Sequence, residues 1–362
     1  VYPALAVGAS LRASAEPPLD LHLVGTHTGL ERRLFEESGL PAHYLMARPM
    51  PARKGLKWLV NAGYLSGAVV QAHGLVRRLR PHAVVGTGGY ASVPVLRAAS
   101  SRGVPTHIHE MDAYAGRANR MLAARASSVS VGFEPALAQL GRPDGQVTGN
   151  PLREGFGAPD PGSARERFGL DPVRPLILVF GGSRGALAIN EAMVPASEAL
   201  IRDHGAQVLL ITGRDHLGHC KGLATRLTSD CRRHLHLIEY VAEGMPDLMA
   251  AAQLAITRSG AATVSELAAA RLPAILIPYP YAMADHQRAN ASVLEAAGAA
   301  AVVDQEEAVR PGFLEGLAGS LLKEKSRLQA MGEAAYRCAR LDAADRIAQI
   351  VLELASRTRA EE

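Results

Sequence analysis

The stretch Leu254-Ala255-Ile256-Thr257-Arg258-Ser259-Gly260-Ala261-Ala262-Thr263-Val264-Ser265-Glu266 sets a short apolar run against a Ser-Gly pair, and small helix-forming residues then continue to Leu272-Pro273. Strand, tight loop and helix is the expected order. It places a helix N-terminus at the carboxyl end of a strand, where free backbone N–H groups and the positive end of the helix dipole suit a phosphate. Glu266, about one and a half turns into the helix, can accept a hydrogen bond from each hydroxyl of a vicinal diol such as a ribose. The same residues serve equally as a plain turn followed by a solvated surface acid.

Four other clusters carry chemistry. Gly181-Gly182-Ser183-Arg184-Gly185-Ala186 follows the apolar run Leu176 to Phe180; it makes an anion nest at a helix start, and it also spells the GxSxG of a hydrolase nucleophile elbow. No convincing Asp-then-His pair follows in the order that a hydrolase requires, which favours the nest. Gly86-Thr87-Gly88-Gly89-Tyr90-Ala91 after His82 to Val85 matches GxGxxA, with Glu110 ending the next strand, so a dinucleotide fingerprint is open beside simple close packing of helix on strand. His109, Glu110 and Asp112 gather at a strand's carboxyl end, and Asp285, His286 and Gln287 stand at a helix start where they can grip sugar hydroxyls or merely cap the helix. With no GxxxxGK[ST] and no Asp-x-Asp pair in the sequence, a diphosphate would be neutralised without metal, by helix termini and arginine.

The elements that must position these groups alternate strand and helix throughout. Val1 to Val7 reads as a helix with Pro3 in its first turn, then come strands near Leu21 to Val24 and Tyr44-Leu45, and a long helix reaching Arg77-Arg78. Strands follow at His82 to Val85, Thr106 to His109 and Val129 to Val131, with helices Val93 to Ala99 and Arg117 to Ala124 between them. Glu154 to Pro175 shifts to Gly, Pro and charge and reads as an interdomain linker, with Arg153 at its edge. The rhythm restarts at Leu176 to Phe180 and continues through Val208 to Thr212, His236 to Ile238, Leu254 to Ile256, Ala274 to Pro278 and Ala300 to Val303. A second parallel, doubly wound sheet is expected, with a long amphipathic tail from Leu314 to Ala355.

With 362 residues, 48% hydrophobic and 20% charged, the chain has material for two cores. No run approaches the roughly 20 apolar residues of a membrane span, and three cysteines in no CxxC spacing imply neither disulfides nor zinc. A net charge of +4 favours anionic partners, while 4% aromatics and the lack of an RNA-binding signature argue against nucleic acid. Arg53, Lys54, Lys57 and Trp58, beside Leu56, Leu59 and Val60, form a basic and aromatic cluster suited to an anionic phospholipid surface; a core tryptophan with solvated lysines is the alternative.

Taken together, the segments Gly86-Thr87-Gly88-Gly89-Tyr90, His109-Glu110, Gly149-Asn150-Pro151-Leu152-Arg153, Gly181 to Ala186, Arg258 to Glu266, Asp285-His286-Gln287 with Asn290, and Gly298-Ala299-Ala300 closely resemble the MurG family. Its members transfer N-acetylglucosamine from UDP-GlcNAc to undecaprenyl-pyrophosphoryl-MurNAc-pentapeptide, lipid I, in peptidoglycan biosynthesis. The resemblance implies an α/β GT-B fold: two Rossmann-like doubly wound parallel-sheet domains with an interdomain cleft. It divides the chain into an acceptor- and membrane-binding domain over residues 1–155, a UDP-GlcNAc-binding domain over 156–335, and a C-terminal helix over 336–362 packing back on the first domain. It implies an inverting transfer to the 4-hydroxyl of MurNAc, without a cofactor or an obligatory metal site, by a peripheral protein on the cytoplasmic face of the bacterial inner membrane. The donor's uracil would meet the backbone near Val241 and Glu266 would hold the ribose. Arg153, Ser183 and the helix start, Ala261, Ala262 and Thr263 with Val264 and Ser265, would take the diphosphate, and Gln287 the sugar. Gly88, Gly89, Tyr90 and Asp112 become candidates for the acceptor, and the Arg53 to Val60 cluster falls where the family associates with membrane.

Two departures qualify these expectations. The family's opening strand and Gly-Gly-Thr-Gly-Gly-His loop, whose His is a candidate base, do not precede Val1-Tyr2-Pro3 here, so the sequence reads as N-terminally truncated, with a central strand position of the first sheet empty. Met111-Asp112 stands where Gln-Asn is common in the family, which leaves His109 and Asp112 as the catalytic candidates within the chain. The rival readings are another UDP-sugar transferase or epimerase, a serine hydrolase at Ser183, and a donor-binding remnant without turnover.

Overall fold

The computed structural model describes residues 1–14, 18–27, 31–48, 55–182 and 185–361, with the side chains of residues 56–59 and 359–361 left aside. In chain order the first elements are α1 (Tyr2–Ser14), β1 (Leu23–Thr26), α2 (Glu31–Ser38), β2 (Ala42–Leu45), α3 (Leu56–Leu79), β3 (Val84–Gly86), α4 (Ser92–Ser100), β4 (Thr106–Glu110), α5 (Arg117–Ala123), β5 (Ser128–Val131), α6 (Pro135–Leu140) and β6 (Gln146–Val147). Next come α7 (Pro161–Arg167), β7 (Leu176–Phe180), α8 (Leu187–His204), β8 (Gln207–Ile211), α9 (Leu217–Ala224), α10 (Ser229–Arg233), β9 (Leu235–Ile238), α11 (Met245–Ala251), β10 (Leu254–Thr257), α12 (Ala261–Ala269) and β11 (Ala274–Leu276). A 3-10 turn (Met283–Asp285), α13 (His286–Ala296), β12 (Ala300–Val302), α14 (Gln305–Ala308), α15 (Phe313–Lys323), α16 (Lys325–Arg337) and α17 (Ala343–Glu361) complete the chain. They pack as two units: Val1–Arg153 with Asp342–Glu362, and Glu154–Leu341.

In the first unit every strand pair is parallel, in two sheets ordered β1-β2 and β3-β4-β5-β6. Val24 of β1 and Val84 of β3 pack on one cluster with Leu45, Ala68, Ala72 and Val76, and Leu21 and Val85 pack on another with Val7, Leu11, Ile347 and Val351. Both sheets therefore share one layer between the same helices, although β1 and β3 are not hydrogen-bonded to each other. Along β4 the side chains alternate in their surroundings: Ile108 joins Val129, Val131, Leu122 and Leu140 in an apolar cluster, while His107 and His109 point to the opposite face. All five residues of β4 are buried.

The second unit is one six-stranded parallel sheet in the order β12-β11-β10-β7-β8-β9. Numbered within the unit this is 3-2-1-4-5-6 read from one edge, the doubly wound order in which the direction of winding reverses between β7 and β10. The central strands read as continuous apolar runs because helices cover both faces; Leu176 to Val179 and Val208 to Leu210 are fully buried. The segment read as a linker is partly helical, since Asp160 Oδ1 accepts from the N–H groups of Gly162 and Ser163 and starts α7, with Pro161 in its first turn. The amphipathic tail is three helices, α15, α16 and α17, and the residues that return to the first unit begin at Asp342.

Candidate functional site

Ligands of open α/β sheets bind outside the carboxyl ends of strands where the winding reverses. In the second unit that point lies between β7 and β10, and the register pairs Phe180 with Thr257, so Gly181 to Ala186 and Arg258 to Gly260 leave the sheet from neighbouring positions. Two loops distant in sequence are thereby brought to one place. Gly185 has φ 73° and lies so close to the Thr212 carbonyl that a side chain would overlap it, and Asn190 Nδ2 donates to the same carbonyl at 2.8 Å. Ser183 and Arg184 lie outside the described residues.

Gly260 is the N-cap of α12, and no side chain caps the helix. Its first N–H groups, on Ala261, Ala262 and Thr263, have no intrahelical acceptor; the Val264 N–H is the first to close a turn, onto Gly260 O at 3.0 Å. Val264, expected among the donor contacts, therefore offers neither group, because its side chain is also in the core at 1% exposure. Ala262 is exposed, and Thr263 and Ser265 are half-buried. Glu266 is 5% exposed, which rules out the solvated surface acid. Val241 is buried after the end of β9.

Side chains lace this region together. Ser259 Oγ donates to the Gln287 carbonyl at 2.8 Å, Asn290 Nδ2 donates to the Ser259 carbonyl at 3.2 Å, and Gln287 Oε1 accepts from the Tyr279 N–H at 2.9 Å. Gln287 is thus half-buried at the start of α13 with its oxygen engaged. Asp285 caps nothing: it sits at φ 52° after Ala284 at φ 54°, two left-handed residues in succession. Arg258 is 7% exposed; its Nη1 donates to the carbonyls of Ile277 and Pro278 at 3.0 and 3.2 Å, and its Nη2 donates to Gln305 at 2.5 Å. These partners are neutral, and burial pushes the guanidinium down from its ordinary value, with Tyr279 opposing. A buried positive charge is therefore held by the segment after β11 and by the first residue of α14.

In the first unit Glu110 ends β4 on the α5 side of the sheet. Its carboxylate accepts from the N–H of Asp112 at 3.0 Å, the N–H of Gly116 at 2.8 Å and Asn119 Nδ2 at 2.9 Å. Burial raises its pKa, and the three hydrogen bonds pull the other way. Both oxygens are committed to the loop that follows, so Glu110 is not the free acid that a dinucleotide fingerprint needs. Gly88 and Gly89 have φ 90° and 81° in the tight turn after β3, and Tyr90 is half-buried against the Leu45 and Val76 cluster. Asp112 is half-buried.

His109, fully buried, has Ser130 Oγ at 2.9 Å on Nδ1 and Asn150 Oδ1 at 3.0 Å on Nε2. Arg153, where the first segment of the unit ends, holds its guanidinium 4.9 Å from the centre of the Tyr2 ring. Of the basic and aromatic cluster, Arg53 and Lys54 lie outside the described residues, and Lys57 and Trp58 fall in the first turn of α3 with their side chains outside them. Sequence reasoning assigned no role to Ser130, Asn119 or His107. The signal was there in the spacing: His107-x-His109 and Ser128-x-Ser130 repeat at the strand period on neighbouring strands.

Among the described residues no three His, Cys, Asp or Glu side chains gather as a metal site, and no helix is long and apolar enough to cross a membrane. Comparison with known proteins agrees with the fold. The glycosyltransferase family 28 N-terminal domain matches residues 1–131 and the family 28 C-terminal domain matches 176–349. The UDP-N-acetylglucosamine--N-acetylmuramyl-(pentapeptide) pyrophosphoryl-undecaprenol N-acetylglucosamine transferase of Chlorobium luteolum is 37% identical over 98% of this chain and 96% of its own length. The protein of the same name from Salinibacter ruber is 38% identical over 99% and 95%. The crystal structure of Acinetobacter baumannii MurG superposes with a TM-score of 0.73 at 26% identity, covering 97% of this chain and 95% of that one. With both halves of one glycosyltransferase family matched in order and this identity over nearly the whole length, the chain belongs to the MurG family of N-acetylglucosaminyltransferases.

Proposed function

We propose that this glycosyltransferase moves N-acetylglucosamine from UDP-GlcNAc to the 4-hydroxyl of the MurNAc residue of lipid I, at the cytoplasmic face of the bacterial inner membrane. The observation that carries the donor half is the uncapped N-terminus of α12 at the point where the sheet's winding reverses, with buried Glu266 farther along the same helix. Phosphate oxygens meet the N–H groups of Ala261, Ala262 and Thr263, and Ser183 adds a hydroxyl from the neighbouring glycine-rich loop. Glu266 accepts from the two ribose hydroxyls, the backbone near Val241 meets the uracil, and Gln287 directs its amide N–H groups at the N-acetylglucosamine.

In the reaction the acceptor oxygen forms a bond to C1 of the sugar from the face opposite the diphosphate. The C1–O bond to UDP breaks with its electron pair passing to the leaving phosphate, and the hydroxyl proton goes to a base. Charge grows on the leaving diphosphate as that bond lengthens, so the fixed dipole of α12, together with Arg153, lowers the barrier more than it stabilises the ground state. The segments on the acceptor side are Gly88 to Tyr90 and the Asp112 loop of the first unit. Arg53, Lys54, Lys57 and Trp58 hold the anionic phospholipid surface on which lipid I is found.

The reading is tested by UDP release from UDP-GlcNAc in the presence and absence of a soluble lipid I analogue. Release that requires the acceptor, with UDP-galactose turned over poorly, is expected. Release at the same rate without acceptor, or equal use of both donors, overturns it; donor binding without any turnover would mark the chain as a donor-binding protein.

A further inference from the structure

The face of the β4–β5 pair opposite the α5 cluster is polar and, beyond the half-buried Ser128, closed to water. In register His107 lies opposite Ser128 and His109 opposite Ser130, and the two imidazoles are 1% and 0% exposed. A line of hydrogen bonds runs along this face: Ser128 Oγ to His107 Nδ1 at 2.7 Å, His107 Nε2 to Ser130 Oγ at 2.9 Å, Ser130 Oγ to His109 Nδ1 at 2.9 Å, and His109 Nε2 to Asn150 Oδ1 at 3.0 Å.

The direction of the line is fixed from one end. Asn150 Nδ2 donates to the Met111 carbonyl at 3.0 Å, and a carbonyl only accepts, so the carboxamide oxygen is the atom turned to His109 and Nε2 of His109 carries the hydrogen. Nδ1 of His109 is then an acceptor, and the Ser130 hydroxyl donates a hydrogen bond to it. The Ser130 oxygen in turn accepts from Nε2–H of His107, whose Nδ1 accepts from Ser128. Burial holds both rings neutral, lowering His107 to about 3 and His109 to about 4. A single proton arrangement satisfies every atom of the line.

Asn150, where the line ends, joins two segments of the candidate site. It belongs to Gly149–Arg153, and through Met111 it holds the loop that carries Asp112. Gly132 packs against the carboxamide so closely that a Cβ there would overlap it, and the Gly132 N–H donates to the Glu110 carbonyl at 2.8 Å. The carboxamide is thus clamped by a glycine on one side and oriented by an imidazole on the other.

We infer that His109 is a positioning residue: locked by Ser130 as its Nε2–H tautomer, it fixes the Asn150 carboxamide and with it the Met111-Asp112 loop against the 149–153 segment. It exchanges no proton with substrate, because the ring is fully buried and both of its nitrogens are engaged. This rests on the reading of the Asp112 loop as an acceptor-side segment. The test pairs His109→Gln, which keeps an N–H donor toward Asn150, with His109→Phe, which keeps only volume. For His109→Gln, kcat/KM for the lipid I analogue is expected within about threefold of the unsubstituted chain, with an unchanged profile from about pH 6 to 9. For His109→Phe it falls at least about thirtyfold, while the Kd for UDP-GlcNAc stays within about twofold.

A Gln variant as inactive as the Phe variant with a lost limb in the pH profile would assign proton transfer instead, and a Phe variant with full activity would mean that the line positions nothing the reaction uses. Equal loss of donor affinity in the Phe variant would reduce His109 to a general packing residue. Should the Phe variant fail to fold, 15N-histidine NMR of the unsubstituted chain, assigned by difference from His109→Gln, decides: the Nε2–H tautomer is expected with no titration between about pH 5.5 and 9. The Nδ1–H tautomer, or titration in that range, sinks the inference. Absence of acceptor-dependent UDP release would break the functional reading alone, since the spectrum tests the line without turnover.

Discussion

Glu266 and Arg258 are opposite charges set into the same loop and helix, and each is nearly closed to water. A buried carboxylate is retained where it has donors to satisfy it. Under the donor reading two of those donors come from the ribose, so Glu266→Gln, which keeps the shape but not the charge, weakens UDP-GlcNAc binding by about 1.5–3 kcal/mol, roughly ten- to a hundredfold in Kd. Isothermal titration reads this directly, and an unchanged Kd would remove Glu266 from the donor site. Arg258 acts by another route. Its planar fork reaches two carbonyls and Gln305 at once, a geometry that a lysine ammonium does not match. Arg258→Lys is expected to lower the second unit's stability by about 1.5–3 kcal/mol, seen as an earlier urea transition; a superimposable curve would show that the fork is dispensable.

At the scale of elements, β4 shows how a buried polar strand responds to acid. His107 and His109 sit near 3 and 4 in the folded chain against an ordinary 6.5, so between those values the unfolded chain binds protons that the folded chain does not. Their contribution is fully present above about pH 6.5 and is lost as pH falls toward 4, with a slope near 1.4 kcal/mol per pH unit for each ring. His109→Gln should remove about one proton from the slope of first-unit stability against pH from about 6 to 4.5; the same slope in both proteins would mean that the ring is protonated in the fold. The N-terminus of α7 offers a simpler test. Asp160→Ala removes the acceptor of two N–H groups and should cost about 1 kcal/mol in the second unit's urea unfolding, whereas an unchanged transition would make the cap incidental.

These two elements also mark the limits of what the sequence discloses. The strands of the second unit were legible because runs such as Leu176 to Phe180 are apolar throughout and end at glycines. Strand β4 was legible as a strand, yet Thr-His-Ile-His-Glu alternates as a half-exposed strand would. Its burial depends on Ser128 and Ser130 arriving in register from twenty residues away, which no local pattern encodes. Helix α7 was hidden because Gly, Pro and charge dominate its composition, and only the Asp160-Pro161 cap betrays it. For the candidate site, the helix start was readable from spacing, whereas the burial of Glu266 was one of two even readings until packing decided it. The lacing of Ser259 to α13 and the engagement of Glu110 with its own loop were not readable, since both are choices among hydrogen-bond partners that only packing resolves.

Over the whole molecule charge is unevenly spread. Between Arg53 and Ser130 the only acids are Glu110 and Asp112, and Glu110 is buried, whereas Arg97, Arg102, Arg117, Arg120 and Arg125 are exposed. Sedimentation with vesicles containing anionic phospholipid should capture the protein at low salt and release it as ionic strength rises, because the Debye length shrinks from about 30 Å at 0.01 M to about 8 Å at 0.15 M. Capture by neutral vesicles to the same degree would assign the association to apolar insertion instead.

The first unit is built from both ends of the chain: α1 packs against α17, Ser10 donates to Asp345, and Val7 and Leu11 share a cluster with Ile347 and Val351. During synthesis, therefore, α1 waits for α17, which is made only after the whole second unit. The second unit, continuous from Glu154 to Leu341, can close on the ribosome while the first is still short of α17, so a nascent chain passes through a stage with a finished second unit and an unfinished first one whose apolar face is open. Chaperone demand and exposure to proteases should concentrate in that interval.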